Sequence, residues 1–324
     1  MTTATLAADG VFETWPAHLA EVWGHAPVKL RHRLHLSPLL SMAALADLID
    51  AYPRRHYSLI HMGARHERRF WREGDLGGLK GADVIDWIAG GRMWLNLRRV
   101  EEIDGRYGDL LRAAYDAIAA GAPGEAMFNT SMGILISSPE AQVYYHADLP
   151  GQALWQIHGA KRIHIYPDRA PFLTPQTLED IALFGVEVDM PYEDWFDAYA
   201  TTIDLEPGDM AHWPLNAPHR VENLGVLNVS LTSEHWSRKI ARGHRVNVAN
   251  GLLRHRFGLA PRGRAISGPS YWAKAALQAM LRRSSWVERQ RAARRPVDFR
   301  LDPARRGRVL DLAPAGARVP PTRS

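Results

Sequence analysis

The 324-residue chain contains no cysteine. That excludes disulfides, thiolate metal sites and cysteine nucleophiles. Lysine is scarce, with five lysines against thirty-five arginines. No apolar run approaches the roughly eighteen residues needed to cross a bilayer. The opening Met1 to Gly10 lacks a basic stretch followed by a long apolar one, so no signal peptide is expected and a cytoplasmic location is. No phosphate-binding loop, glycine-rich dinucleotide fingerprint, Ser-His-Asp spacing or internal repeat stands out, which argues against nucleotide-driven and triad-hydrolase chemistry. The 46% hydrophobic content is ordinary for a globular protein, and the length can bury a sizeable core as one large domain with appendages or as two.

A net charge of +5 hides an asymmetry. Residues 237–324 hold twenty-one Lys and Arg against four Asp and Glu, or +17; the other 236 residues hold nineteen against thirty-one, or −12. The basic segment is a candidate contact for nucleic acid or an anionic surface. It has little of the aromatic interleaving that single-strand binding uses, so a solvated or dimer-forming tail is the stronger expectation.

Periodicity divides the chain into three. Residues 1–125 read as a mixed helical bracing region. Ser37-Pro38 is expected to open a helix that runs through Leu48 and ends before Pro53. His56 to Met62 reads as a strand, Val84 to Ile88 as a short helix, and Leu97 to Ala120 as a helix that stops at Gly121. Residues 126–236 read as short strands punctuated by Pro and Gly, with Pro207-Gly208 as a type II turn. Phe172 to Tyr199, acidic and aromatic, reads as an insertion over the mouth of the sheet structure. In the last strand Leu227, Val229 and Leu231 share one face; Asn228, Ser230 and Thr232 share the other. The polar set is expected either to line a wet cavity near a ligand or to face solvent. In residues 237–324, Tyr271 to Ala293 is expected to form an amphipathic helix presenting Trp272 and Met280, and the chain after Pro296 to fray. The fold class is therefore mainly β with helices, a jelly roll closing on a ligand.

The candidate chemistry sits at His146-Ala147-Asp148 and, seventy-one residues beyond the carboxylate, at His219. Side chains two apart on a strand point the same way, so His146 and Asp148 can reach one ion while Ala147 points elsewhere. Two imidazoles and a carboxylate form a facial triad, which holds non-haem Fe(II) and leaves three positions open. His158 and His164 do not fit this spacing and read as structural or surface groups. His212 is a candidate to support a ligand from behind. Lys161 shares a strand face with Ile163 and Ile165, where a cation is costly unless it meets an anion or snorkels to the rim. Arg162, one residue on, is expected to point outward.

Met127 to Trp236 resembles the JmjC and cupin-like Fe(II)/2-oxoglutarate oxygenases, especially the asparaginyl-hydroxylase branch. The matching features are the apolar Ile134-Leu135-Ile136 strand before His146, the Gly-x-Lys-Arg run at Gly159 to Arg162, the Pro-Gly-Asp turn before His219, and Val221-Glu222-Asn223 after it. The resemblance implies a double-stranded β-helix and a metal held by His146, Asp148 and His219. It further implies Lys161 as the anchor for the distal carboxylate of 2-oxoglutarate. Two positions depart from the family. Val143 stands where a threonine is usual, leaving Thr130, Tyr144 and Tyr145 as candidate hydroxyls, and Gln152 replaces an asparagine. Gln152, Thr130, Tyr144, Asn228 and Ser230 are the expected co-substrate contacts.

What the resemblance implies is an oxygenase using Fe(II), 2-oxoglutarate and O2 to hydroxylate a protein or peptide side chain or a small metabolite, releasing succinate and CO2. Demethylation of Lys or Arg is the variant within the class. The other classes are a metal-binding cupin that does not use 2-oxoglutarate, and a non-catalytic module acting through the basic tail. A homodimer paired through C-terminal helices is expected.

Overall fold

Alternating apolar residues between 128 and 236 build two facing antiparallel sheets. The computed structural model describes residues 10–62, 71–124, 126–185, 190–281 and 297–312. The N-terminal part contains α1 (Leu19–Val22), β1 (Val28–Arg31), α2 (Met42–Asp50), β2 (Tyr57–Met62) and β3 (Trp71–Asp75). It continues with α3 (Gly81–Ala89), β4 (Met93–Arg98), α4 (Val100–Ile103) and α5 (Gly105–Gly121). The central strands are β5 (Phe128–Ser137), β6 (Gln142–His146), β7 (Gly151–His158) and β8 (Lys161–Ile165), then α6 (Pro175–Phe184). They are followed by β9 (Thr201–Leu205), β10 (Asp209–His212), β11 (His219–Asn223) and β12 (Asn228–Trp236). The C-terminal part holds α7 (Arg238–Phe257), α8 (Gly268–Leu281), β13 (Val297–Leu301) and β14 (Val309–Asp311).

Strands β5 to β12 form the eight-stranded double-stranded β-helix. The order β10-β7-β12-β5 lies in one sheet and β6-β11-β8-β9 in the other, so consecutive strands mostly alternate between sheets, as a jelly roll requires. Leu154, Ile163, Ile165, Leu205, Ala211 and Trp213 cluster together. The larger sheet buries its opposite face, through Val229, Leu231, Trp155 and Ile134, against the N-terminal helices. The Pro207-Gly208 turn forms as expected, with Gly208 at φ +90° and Asp209 N donating to Glu206 O at 2.9 Å. Only glycine adopts that φ without strain.

The larger sheet does not stop at the jelly roll. On the β5 side it continues through β4, β2, β3, β13 and β14, and on the β10 side through β1. The N-terminal third thus supplies sheet as well as helices. Leu97 belongs to β4, the chain turns at Arg99 with φ +58°, and the expected single helix is two because Asp104 is extended between Ile103 and Gly105. The first helix also begins later than expected. Ser37-Pro38 opens a single 3-10 turn, and Ser41 caps α2 by accepting from Ala44 N.

The C-terminal segment differs most from expectation. Residues 297–312 do not fray: β13 runs parallel to β3, and Phe299 and Leu301 are fully buried. Gly74 makes room for the Phe299 ring, since a Cβ there would lie 2.2 Å from it. Asp298 holds Arg72 at 3.1 Å. The arginine-rich composition masked a short alternating strand with only three apolar residues, of which Phe299 and Leu301 are buried. Helix α7, which the sequence reading did not name, is capped by Ser237 and closed by Gly258 at φ +66°. The expected helix from Tyr271 to Ala293 begins at Gly268 and is described to Leu281; its later part lies outside the described residues.

Candidate metal centre

Three side chains converge because two strands pair in a particular register. His146 ends β6, His219 starts β11, and their Cα atoms are direct partners. Between this pair and the next, Val221 with Val143, β6 holds one residue more than β11. This bulge lets both Val143 and His146 face the cavity although they are three apart, and turns Tyr145 into the opposite cluster. Asp148 lies two beyond His146, while Ala147 between them is fully buried on the other side.

One ligand atom from each of His146, Asp148 and His219 lies within 4.8 Å of the others. Asp148 Oδ2 stands 3.3 Å from His219 Nε2 and 3.9 Å from His146 Nε2. Each imidazole is oriented from behind: His146 Nδ1 meets Tyr144 O at 2.7 Å, and His219 Nδ1 meets Ala217 O at 3.1 Å. A carbonyl only accepts, so each Nδ1 carries the proton and each Nε2 lone pair is left for a metal. Asn216 Nδ2 donates to the Asp148 carbonyl at 2.5 Å and holds the loop. Burial pushes the Asp148 carboxyl up, but His146 and His219 outweigh it, and the group sits below its ordinary value. A carboxylate with two imidazole Nε2 atoms aimed at one point is the donor set of a divalent transition metal, so these residues fit iron.

The triad opens on a cavity of about 260 Å³. Gln152, Thr232, Glu234 and Trp213 line it from the jelly roll; Ile60, Trp71, Glu73, Trp94 and Asn96 line it from β2, β3 and β4. The sequence reading missed all of the latter, since β4 meets the jelly roll by pairing Trp94 with Ser137, forty-three residues on, and nothing local marks that. It also missed Glu234. Burial, helped by the Asp148 charge, pushes the Glu234 carboxyl up to about 7, and Gln152 Nε2 reaches it at 3.4 Å.

Lys161 is almost completely buried, at 3% exposure. Burial alone lowers its pKa to about 7, with no carboxylate of the described residues offsetting it. Lys161 lines a small void, and Trp94, Leu135, Val143 and Val221 line both that void and the metal cavity. An apolar throat therefore connects the triad to a buried cation. Arg162 points outward as expected, bidentate on Asp204 at 2.6 and 2.7 Å.

Other expected contacts fall elsewhere. Asn228 and Ser230 are fully buried and do not line the cavity; Gln156 bridges them, donating to Asn228 Oδ1 at 2.6 Å and accepting from Ser230 at 2.7 Å. The face assignment of β12 is right, but the cavity lies further along it, at Thr232 and Glu234. At roughly 3.3 Å per residue the difference is about 13 Å from Ser230 to Glu234. Thr130 lines a neighbouring polar cleft of about 570 Å³ and not the metal cavity itself. Tyr144 packs against Ile60, Met62 and Trp94, and Tyr145 Oη donates to Phe172 O at 2.8 Å. His212 lies on the far face of its sheet, stacked on Trp23 at 3.9 Å, and so does not support the triad. His164 sits between Thr202 and Glu222, and His158 is exposed. The described residues of the insertion from Phe172 to Tyr199 do not line the cavity. Its aromatic residues pack with Tyr145, Ala147 and Tyr166 behind the smaller sheet, because that face carries the apolar area they bury.

No family model matches the chain, and no curated protein matches it. Among solved structures the chain is similar to YcfD of Escherichia coli, with a TM-score of 0.49 at 16% identity over 89% of this chain and 74% of that one. It is likewise similar to YcfD, a ribosomal oxygenase from Escherichia coli, in complex with cobalt and 2-oxoglutarate, with a TM-score of 0.48 at 17% identity over 89% and 74%. A third structure of YcfD, with cobalt and succinic acid, gives 0.47 at 17% identity over the same shares.

Proposed function

We propose that this chain is an Fe(II)- and 2-oxoglutarate-dependent oxygenase that hydroxylates a protein or peptide side chain. The observation that carries the reading is the pairing of a three-ligand metal set with a buried, unneutralised lysine across an apolar throat. His146, Asp148 and His219 would hold the iron and leave three of six positions open. Lys161 would receive the distal carboxylate of the keto acid, and Leu135, Val143 and Val221 would flank its methylene carbons. Bound iron with the keto acid and O2 would supply a two-electron oxidation of a C–H bond, coupled to decarboxylation to succinate and CO2. The residues around it do the rest. The backbone carbonyls behind each histidine fix the ligand directions, and Trp94, Trp213 and Leu154 exclude water from the reacting face.

An extended polymeric substrate is supported by the neighbouring polar cleft, which joins the metal cavity through Asn96, Arg98, Thr232 and Glu234. Such a groove can hold the residues flanking a side chain that enters the cavity. Among the described residues no helix is long and apolar enough to cross a membrane. We further infer a cytoplasmic homodimer that pairs through α8.

Succinate release from 2-oxoglutarate by the iron-loaded protein under air is the direct test, followed by mass spectrometry of peptides for a gain of one oxygen. His219→Ala should abolish both metal uptake and succinate release while leaving the circular-dichroism spectrum intact. Stoichiometric iron retained by that variant would refute the ligand assignment. Metal binding with no keto-acid turnover in the wild type would favour a cupin that does not use 2-oxoglutarate. A 14 Da loss from a methylated peptide would identify demethylation instead.

A further inference from the structure

We propose that the indole N–H of Trp94 is the second donor to the distal carboxylate of the keto acid, beside Lys161. The inference rests on the reading of the cavity as a 2-oxoglutarate site and assigns it a residue outside the jelly roll. Trp94 stands on β4, where its Cα pairs with Ser137 of β5 and Ile60 of β2. It lines both the metal cavity and the void at Lys161. Its Nε1 is buried with no hydrogen-bond partner among the described residues. A buried N–H without an acceptor is costly, so native structures nearly always supply one. The acceptor missing here is one that a ligand can bring.

The alternatives around the void are already engaged or apolar. Asn223 Nδ2 donates to Ser137 Oγ at 2.8 Å and to Ser138 O at 2.6 Å. Leu135, Val143 and Val221 offer no polar atom. The void itself is about 10 Å³, room for little more than one water. A carboxylate reaching Lys161 must therefore occupy the throat as well, in contact with the residues shared between the two spaces, of which only Trp94 carries a donor. Trp71 sets the plane of that ring, edge to face at 5.4 Å and 79°. A charged acceptor between an ammonium and an indole N–H gains two charge-assisted hydrogen bonds in a water-poor site. The donor lost where Val143 replaces a hydroxyl residue is thereby supplied from another strand.

The test is anaerobic titration calorimetry on the full chain loaded with Zn(II), comparing wild type, Trp94→Phe and Ser137→Ala. Phenylalanine keeps the ring and removes the N–H. The two probes are 2-oxoglutarate and oxalate, which chelates the metal but has no distal carboxylate. Trp94→Phe should raise the 2-oxoglutarate Kd about tenfold and leave the oxalate Kd within about twofold, a difference of about 1.4 kcal/mol. Equal weakening of both probes, no weakening of either, or a loss confined to Ser137→Ala would overturn the assignment. A reading on the wild-type protein needs no variant to fold. The Trp94 Nε1 proton should move downfield in a nitrogen-proton correlation spectrum on adding 2-oxoglutarate but not oxalate, and an unmoved signal contradicts the proposal. Wild-type protein that binds Zn(II) and oxalate but not 2-oxoglutarate would instead defeat the underlying reading of the site.

Discussion

At the residue scale, Lys161 makes a pH-dependent prediction. Burial holds its pKa at about 7, well below the ordinary lysine value of 10.5. Below pH 7 the ammonium is charged before an anion arrives; above it, anion binding must take up a proton. Affinity for 2-oxoglutarate should therefore fall between pH 7 and 9, by up to about tenfold per unit. Calorimetry in buffers of different ionisation enthalpy should register the proton uptake. Lys161→Met should bind at least about tenfold more weakly, with a flatter pH profile. A wild-type affinity constant across that range would count against the charge pairing. The effect on stability has the opposite sense. A cation whose folded pKa is depressed carries its full cost below about 7 and loses it as pH rises toward 10.5, so the empty wild type should gain stability against Lys161→Met over that window. The triad and Lys161 were legible in the sequence because their chemistry is scarce: one carboxylate two after a histidine, and one of five lysines on an apolar strand. Glu234 and Trp94 were not, because an acid near a strand end and a tryptophan in an apolar run look like surface and core until their neighbours are known.

At the element scale, Glu179 joins parts of the chain that are distant in sequence. It is fully buried on α6 and is held by Arg254 of α7, by Arg264, and by Asn250 Nδ2 at 3.2 Å. Leu183 and Phe184 of the same helix pack against Val248 of α7. The insertion between β8 and β9 is thus clamped to the basic C-terminal segment. Glu179→Leu removes the shared carboxylate of two partly buried guanidinium groups, leaving Arg264, among the described residues, only its bond to Asn247 Oδ1 at 2.9 Å. Chemical denaturation should show a loss of about 3 kcal/mol or more. A loss below about 1 kcal/mol would show that the arginines are already satisfied by solvent. The sequence reading named neither helix, although each has a side-chain cap, Thr174 with Pro175 before α6 and Ser237 before α7. Their docking was not legible either, because an ion pair between residues seventy-five apart leaves no local trace.

At the scale of the whole molecule, the charge asymmetry is partly resolved inside the fold. Arg254 and Arg264 neutralise Glu179, and Arg306 reaches Asp86 at 3.2 Å. Helix α8 keeps Tyr271 buried and leaves Trp272 and Met280 each 64% exposed. An apolar pair presented on one helix is the surface by which the proposed homodimer would form, a two-fold pair being the commonest oligomer. Truncation after Gly268 is a poor test, since it removes β13 and uncovers the space filled by Phe299. The double substitution Trp272→Ser with Met280→Ser should convert dimer to monomer in light scattering while leaving succinate release unaltered. Monomeric wild type at micromolar concentration would refute the dimer. Turnover that falls steeply with salt in that monomer would favour recruitment of an anionic substrate by the basic surface.

Period-two alternation and turn residues in the sequence pointed to the jelly roll, and the resemblance carried by Gly159 to Arg162, the Pro207-Gly208-Asp209 turn and His219 pointed to the candidate ligand set and to Lys161. Only the tertiary structure decided what surrounds them. Strands β2, β3 and β4 wall the cavity, β13 and β14 extend the sheet beyond β3, and the cavity lies at Glu234 rather than at Asn228. Those outcomes depend on which strands pair across long separations and how far along a strand a cavity lies. That register is set by burial summed over the whole sheet, not by the residues nearest the site.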